Sequence, residues 1–460
     1  MKKTFGILAT SIIIATLSVI FQWKAIVITF ALIFIIYCYK NTRKGFWITY
    51  FVALSLPISN NNILQYVTID IGGKGLNVIQ ISIVIIFCII LIKNNQYKKF
   101  KFNNVNTLFI ALSMMYFIYL FVGISNGYGS RLIVDFSMYI YEILLFYCTY
   151  KIVSEKDDIY KLMNITLYGL TTNCVISFFM YLTKGWSLWG ITYSEGRFGG
   201  NYLTLCIITM SYAVFLVYNK KNKNTFIIML SSLLSIILLF LSQNRTTPLL
   251  IIFSCAILLI INLNNSLSSR NLFSRMSLLT FISIFSIIGM MILLNSEIEL
   301  VSRFKNMSSL STDRNIQTRV KTTKYHLDLI KKNPLGSGFG TLMPFIDAED
   351  RIQHEDSLQI DNSYITIARK SGLVTVTVYI LLLLSPIKQL MNKYKKSRDM
   401  IFLSVMISYA MLLIASSLMT SQSIHSYSVS SFIWVFISYT NNLKVDVISN
   451  EVKDNSCTLT

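Results

Sequence analysis

Residues 105–123 read VNTLFIALSMMYFIYLFVG, an uncharged apolar run with Lys93, Lys98, Lys99 and Lys101 before it and Arg131 after it. A hydrocarbon core about 30 Å thick is crossed by roughly 20 apolar residues in helical form. A helix also keeps its backbone hydrogen bonds internal where no water can supply them. This run is therefore a membrane span. Runs of the same kind recur near 5–22, 25–39, 46–58, 75–92, 132–150, 160–182, 199–218, 225–242, 246–263, 276–294, 363–385, 400–419 and 425–440. They predict an all-α polytopic membrane protein with about 12–14 transmembrane helices.

Composition agrees. Of 460 residues, 54% are hydrophobic and 13% charged, about half the charge of an ordinary soluble domain. That excludes a cytosolic enzyme, a nucleic-acid-binding protein and a disordered scaffold. The net charge of +20 lies in short clusters between the spans. Lys2/Lys3, Lys40/Arg43/Lys44, Lys93 to Lys101, Lys151 to Lys161, Lys220 to Lys223, Arg270/Arg275, Lys388 to Arg398 and Lys444 fall on alternate loops. Cationic loops mark the cytoplasmic side, so both termini are expected there. Met1-Lys2-Lys3 and the run behind it read as an uncleaved anchor, with no clear small-residue cleavage site. The seven cysteines lack metal-ligand spacing, and six lie in apolar stretches as small hydrophobes.

One loop is out of proportion. Residues 1–294 carry the first spans, 295–361 form a long extracytoplasmic loop, 362–440 hold the C-terminal spans and 441–460 are a cytoplasmic tail. Connections longer than about 12–15 residues usually have a function of their own or are disordered. Within the loop, Ile316, Val320, Leu327 and Ile330 recur at helical spacing over 314–332, among Arg314, Arg319, Lys321, Lys324, Lys331 and Lys332. This reads either as an amphipathic helix in the outer interface or as a packing helix of an external cap. Pro334 ends it, and Gly336, Gly338 and Gly340 follow at alternate positions. Such glycines allow a nest of amides for an anion, or a tight turn back to the membrane.

Several polar residues sit where chemistry could occur. Arg245, in SQNRTTP at 242–248, faces outward between two apolar spans, suited to bidentate phosphate capture or to snorkelling toward headgroups. Arg197 raises the same question on another external loop. Arg131 precedes Asp135 by four residues and could pair with it. Asp135 and Glu142 share one helix face inside a span, as an ion pathway or a structural bond would require. Trp186 and Trp189 suit sugar stacking or the aromatic belt. His354 with Asp350, Glu355 and Asp356 is a weak metal arrangement, and no metal or other cofactor is expected. Asp361, at the start of the span after the long loop, is either a general base or a helix cap.

Three of these pieces, in order, resemble the O-antigen polymerase/ligase superfamily of bacterial envelope glycosyltransferases, which includes the Wzy-type polysaccharide repeat-unit polymerases. Ser242-Gln243-Asn244-Arg245-Thr246 resembles its Ser-x-Ser-Arg hairpin. Arg319 through Asn333-Pro334-Leu335-Gly336-Ser337-Gly338-Phe339-Gly340 resembles its Arg, helix, Asn-Pro-Leu-Gly-x-Gly run. Asp361-Asn362-Ser363-Tyr364 with Gly372 resembles the His/Asp-Asn-x-Tyr run opening the next span. The resemblance covers roughly 225–385. The ligase branch has His at the position of Asp361, so Asp resembles the polymerase branch of capsule and exopolysaccharide systems.

The resemblance implies a polymerase that joins undecaprenyl-pyrophosphate-linked oligosaccharide units on the outer face of the bacterial cytoplasmic membrane. It assigns Arg197, Arg245 and Arg319 to the pyrophosphate and the catalytic position to Asp361, with Asn362, Tyr364, Gly336, Gly338 and Gly340 against the substrate. The leaving group is already activated, so direct inverting displacement needs charge neutralisation and a base, without a metal. Implied partners are lipid-linked oligosaccharides, membrane lipids, a chain-length regulator and a flippase, with no nucleic acid. The alternatives are an O-antigen-type ligase and, in another class, a flippase or transporter.

Overall fold

A computed structural model of the chain describes residues 23–55, 69–71, 74–76, 78–97, 99–153, 159–182, 314–353, 357–360, 362–397, 400–414 and 427–442. The expected spans at 5–22, 199–218, 225–242, 246–263 and 276–294 lie outside these residues.

The described part is mostly helical: α1 Trp23–Lys40, α2 Thr42–Ser55, α3 Val78–Ile92, α4 Asn104–Ser125, α5 Ser130–Ile152, α6 Ile159–Leu182, α7 Arg314–Lys332, α8 Ser363–Ser397, α9 Met400–Ile414 and α10 Tyr427–Asn442. Among the described residues, α4, α5 and α8 are long and apolar enough to cross a membrane, and α3 and α9 contain shorter apolar helices. Two antiparallel hairpins were not foreseen: β1 Ile69–Ile71 with β2 Lys74–Leu76, and β3 Phe345–Ile346 with β4 Ile352–Gln353. Both are short pairings within connecting segments, too brief for an alternating apolar pattern to show.

Alpha4 illustrates how sequence becomes packing. The Asn103 side chain accepts from the Asn106 amide at 2.8 Å and starts the helix. Phe109, Leu112, Tyr116 and Gly123 face inward, whereas Met114, Phe117, Ile118, Phe121 and Ile124 form an exposed apolar stripe. In a membrane protein that stripe faces lipid. At the far end Gly127 and Gly129 adopt positive φ and turn the chain into α5.

The centre of the bundle is α10. Val429, Phe432, Ile433, Trp434, Val435, Phe436 and Ile437 are all fully buried, so this helix meets protein on every side. Its serines allow close approach to α5. Tyr141 and Ser431 share a 2.6 Å bond, Ser430 donates to Glu142 at 3.3 Å, and Ser438 donates to the Phe146 carbonyl at 2.9 Å. Phe109 and Phe146 stack with centroids 3.9 Å apart where α4 meets α5.

Lysines of the described residues gather at one end. Lys93 donates to the Tyr39 carbonyl, Lys151 to Asn94 at 3.1 Å, and the Lys101 amide to the Tyr150 hydroxyl at 3.0 Å. Asn441 bridges this group, donating to Asn106 at 2.8 Å and accepting from Asn103 at 3.1 Å. The opposite end carries the α4–α5 turn, the residues after α7 and the start of α8. Two helix limits differ from the sequence reading. Alpha2 takes in Arg43 and Lys44, and α8 continues through Pro386 to the lysine cluster.

Candidate active site

Alpha7 is the first element of the site. Its expected apolar stripe is divided: Ile330 is 4% exposed, whereas Val320 is 61% and Leu327 43% exposed. The inward face carries Thr322, His326 and Ile330 at helical spacing. Thr322 ties α7 to β3, accepting from the Ile346 amide at 2.9 Å and donating to its carbonyl at 3.2 Å. His326 bonds the Pro344 carbonyl through Nε2 at 3.0 Å. A carbonyl can only accept, so Nε2 carries the proton and Nδ1 is the bare acceptor. Lys321 pairs with Asp350 at 2.8 Å, and Arg314 pairs with Glu349.

The acidic stretch after β3 is organised by Asp347. Its oxygens accept from the Glu349 and Arg351 amides, the Arg351 guanidinium and the Gln353 amide, at 2.8–2.9 Å. Burial opposes the Asp347 charge, but the Arg351 and Glu349 hydrogen bonds outweigh it and hold the carboxyl below its ordinary range. Asp350, counted above in a weak metal arrangement, is thus engaged by Lys321. His354, Glu355 and Asp356 lie outside the described residues, within which no metal-binding group of His, Cys, Asp and Glu occurs.

Next, the glycine run threads between two spans. Gly336, Gly338 and Gly340 have φ near +90°, as only glycine does without strain. The Ser337 amide donates to the Arg369 carbonyl at 3.0 Å, Gly338 to Lys370 at 2.8 Å, Phe339 to Tyr119 at 3.2 Å, and Gly340 to the Asp135 carboxylate at 2.8 Å. The Gly336 amide turns back to Asn333 at 3.2 Å. These amides are engaged by protein acceptors, and of the two readings open from the sequence the turn back to the membrane bundle is the one they form. The glycines instead let backbone meet backbone. A Cβ on Gly338 would lie 2.6 Å from the Gly123 nitrogen, and one on Gly372 would lie 2.5 Å from the Leu335 oxygen.

Alpha8 is opened to receive this strand. Gly372 has φ 81° and ψ 167° inside the helix, which frees the carbonyls of Arg369 and Lys370 to accept from the glycine run. The Leu373 amide closes the arrangement by donating to the Pro334 carbonyl at 3.0 Å. Lys370, fully buried, pairs with fully buried Asp135 and lies 5.9 Å from the Tyr139 ring. Asp135 therefore pairs with Lys370 and not with Arg131, which is exposed. Asp135 belongs to a structural clasp between α5, α8 and the turn. Glu142, about two turns further along the same face of α5, accepts from Ser430 in the bundle centre.

At the start of α8, the Asn362 side chain accepts from the Tyr364 and Ile365 amides at 3.0 and 3.2 Å. The sequence reading left Asp361 open between a cap and a general base; the capping side chain seen at this helix start is that of Asn362. Tyr364 packs on the bundle core. Arg319 is exposed two turns before His326, roughly 10 Å along α7. Arg197, Arg245 and Asp361 lie outside the described residues. Sequence reading gave no role to Ser337, His326, Arg369 or Lys370. The available signal was a Lys within an apolar run, with an Asp in another run to match it.

Burial, reinforced by Arg369, holds the His326 imidazole below its usual range, against the opposing pull of the Pro344 carbonyl. A lowered value favours the neutral ring in the folded state. Its contribution to stability is present above the ordinary value of 6.5 and is lost as pH falls below it. The thermal midpoint of the purified protein is thus expected to fall between pH 7.5 and 5.5, and to fall less in His326→Gln. Equal falls in both proteins would remove His326 as the titrating group.

Comparison with known families matches residues 230–380 to one described as O-antigen ligase. The matched stretch includes α7, the glycine turn, the β3–β4 hairpin and the first part of α8, as well as Arg245 and Asp361. Helices α1–α6 precede it. No curated protein matches the chain. Residues 230–380 are thus similar to that family, and the long apolar helices are those of a multi-pass membrane protein.

Proposed function

We propose that the chain is a polymerase that joins lipid-linked oligosaccharide repeat units into polysaccharide at the extracytoplasmic face of the membrane. One observation carries this reading. Within the matched stretch, the glycine turn and the entry of α8 sit at the end of the bundle opposite the gathered lysines. Lysine-rich ends are cytoplasmic by the positive-inside rule, which supports an extracytoplasmic position for the turn.

The chemistry fits that location. An acceptor hydroxyl oxygen attacks the anomeric carbon of a donor unit, and the bond from that carbon to the undecaprenyl pyrophosphate oxygen breaks. The electron pair leaves on the pyrophosphate, and the acceptor proton passes to the Asp361 carboxylate. A single displacement inverts the anomeric centre. Arg197, Arg245 and Arg319 neutralise the departing charge, which guanidinium groups do well at a poorly hydrated site. Because Asn362 fills the cap, Asp361 is not needed for it.

The family description favours a second reading, a ligase that moves finished glycan to an acceptor. A null strain separates the readings by what it accumulates. Single repeat units on lipid at the outer face are expected for a polymerase, long lipid-linked polymer for a ligase, and units retained inside for a flippase. In the same strain, Arg245→Ala and Asp361→Asn are each expected to remove long polymer at normal protein level, Asp361→Asn by about 10²–10⁴-fold in rate. A full ladder from Asp361→Asn would make Asp361 structural.

A further inference from the structure

Arg369 is the side chain that the proposed chemistry does not use and the fold does not explain. One of its terminal nitrogens donates to the Ser337 hydroxyl oxygen. Its Nε is buried and has no acceptor among the described residues, and no carboxylate there pairs with it. Ser337, partly buried, stands beside it. Its oxygen accepts from Arg369 and, at 3.3 Å, from the Asn333 amide, which uses its acceptor capacity and leaves its proton as a donor. That proton has no acceptor among the described residues.

Among the described residues no carboxylate acts on the guanidinium. His326 is neutral with its proton committed to Pro344. The Tyr128 and Tyr325 side chains are the ones near enough to act on the guanidinium. Asn126 fixes the turn by donating to the Ser337 carbonyl at 2.9 Å. A half-buried cation beside two unmet donors is costly without an acceptor. The group that would satisfy all of them is an anion with several oxygens, arriving at the non-lysine end of the bundle.

We infer that Arg369, together with the Ser337 hydroxyl, is a binding subsite for a phosphoryl oxygen of an isoprenoid diphosphate, the anionic end of the lipid-linked donor. The inference rests on the reading in Proposed function and adds to it a residue inside the apolar span. It also gives the glycine turn a purpose. By pairing with the opened part of α8, the turn brings Ser337 against Arg369.

The test uses the full chain purified into phosphatidylcholine nanodiscs, with farnesyl diphosphate as the probe and calorimetry as the readout. Arg369→Gln is expected to weaken farnesyl diphosphate by at least about tenfold, the scale of one charge-assisted bond. Arg369→Lys, which keeps the charge without the fork, should fall between, and Ser337→Ala should weaken binding less than Arg369→Gln. The unliganded thermal midpoint of Arg369→Lys should match the parent, so that affinity and folding are read apart. Parent-like affinity in Arg369→Gln overturns the subsite. So does competition by phosphatidylglycerol in the discs that is abolished in Arg369→Gln, because a bilayer headgroup would then be the occupant. If Arg369→Gln loses polymer in cells while keeping diphosphate affinity, the subsite fails and the polymerase reading stands. If the parent binds diphosphate through Arg369 but glycan length never depends on the chain, the polymerase reading fails and the subsite stands.

Discussion

Lys370→Met is expected to remove the protein from the membrane fraction, or to lower its stability by about 3–5 kcal/mol, the usual result of stripping one partner from a buried ion pair. The lysine is fully buried against fully buried Asp135. Met fills a similar volume and cannot compensate the carboxylate left behind. The Asp135 oxygens also hold the Gly340 amide at 2.8 Å, so the damage reaches the glycine turn. The double variant Lys370→Met with Asp135→Asn should recover most of the loss. It removes both charges and leaves an acceptor for Gly340, and apolar replacement of a complete buried pair is often neutral or better. Fluorescence-detected size exclusion and thermal unfolding measure both. A stable single variant, or a double variant no better than the single, would show that the pair does not clasp α5 to α8.

The second large effect is at Gly338. Gly338→Ala places a side chain at φ +88° and a Cβ 2.6 Å from the Gly123 nitrogen. The left-handed backbone alone costs roughly 1–2 kcal/mol. The steric part falls on the main chain of α4 at Val122 and Gly123, so it cannot be relieved by a rotamer change. The turn must lift from α4, breaking the Phe339 and Gly340 bonds with it. The expected outcome is loss of long polymer together with a clearly lower thermal midpoint. Gly127→Ala is the control, with φ +72° and nothing within 4 Å of the added carbon. It should cost only the conformational part and leave glycan length unchanged. Equal behaviour of the two variants would mean that close approach at Gly338 is unimportant.

Helices were legible in the sequence because lipid leaves few alternatives. An uncharged run such as 105–123 has to satisfy its own backbone, and the lysine clusters mark which ends belong together. The sequence was less informative where polarity is satisfied by partners distant in the chain. Asp135 invites a partner four residues away, whereas its cation lies on α8. Gly336, Gly338 and Gly340 predicted an unusual backbone, and the structure has it. Their pattern does not say whether the amides meet a ligand or another strand. The α7 stripe failed for a different reason. Thr322 and His326 pack inward because a hairpin offers them a carbonyl and an amide, and hydropathy does not count such partners. At the start of α8, both Asp361 and Asn362 suit a cap, and only geometry assigns that role to Asn362.

Alpha10 carries a consequence for biogenesis. The segment enclosed on every side is also the one that a ribosome releases after α1 through α9. Until it is delivered, Tyr141, Glu142 and the Phe146 carbonyl on α5 lack the serines that meet them in the finished protein. The earlier helices can thread into the bilayer one by one, but their final docking must wait for the latecomer. A translation stop before residue 427 would therefore yield inserted yet unassembled chains, fit substrates for membrane quality-control proteases.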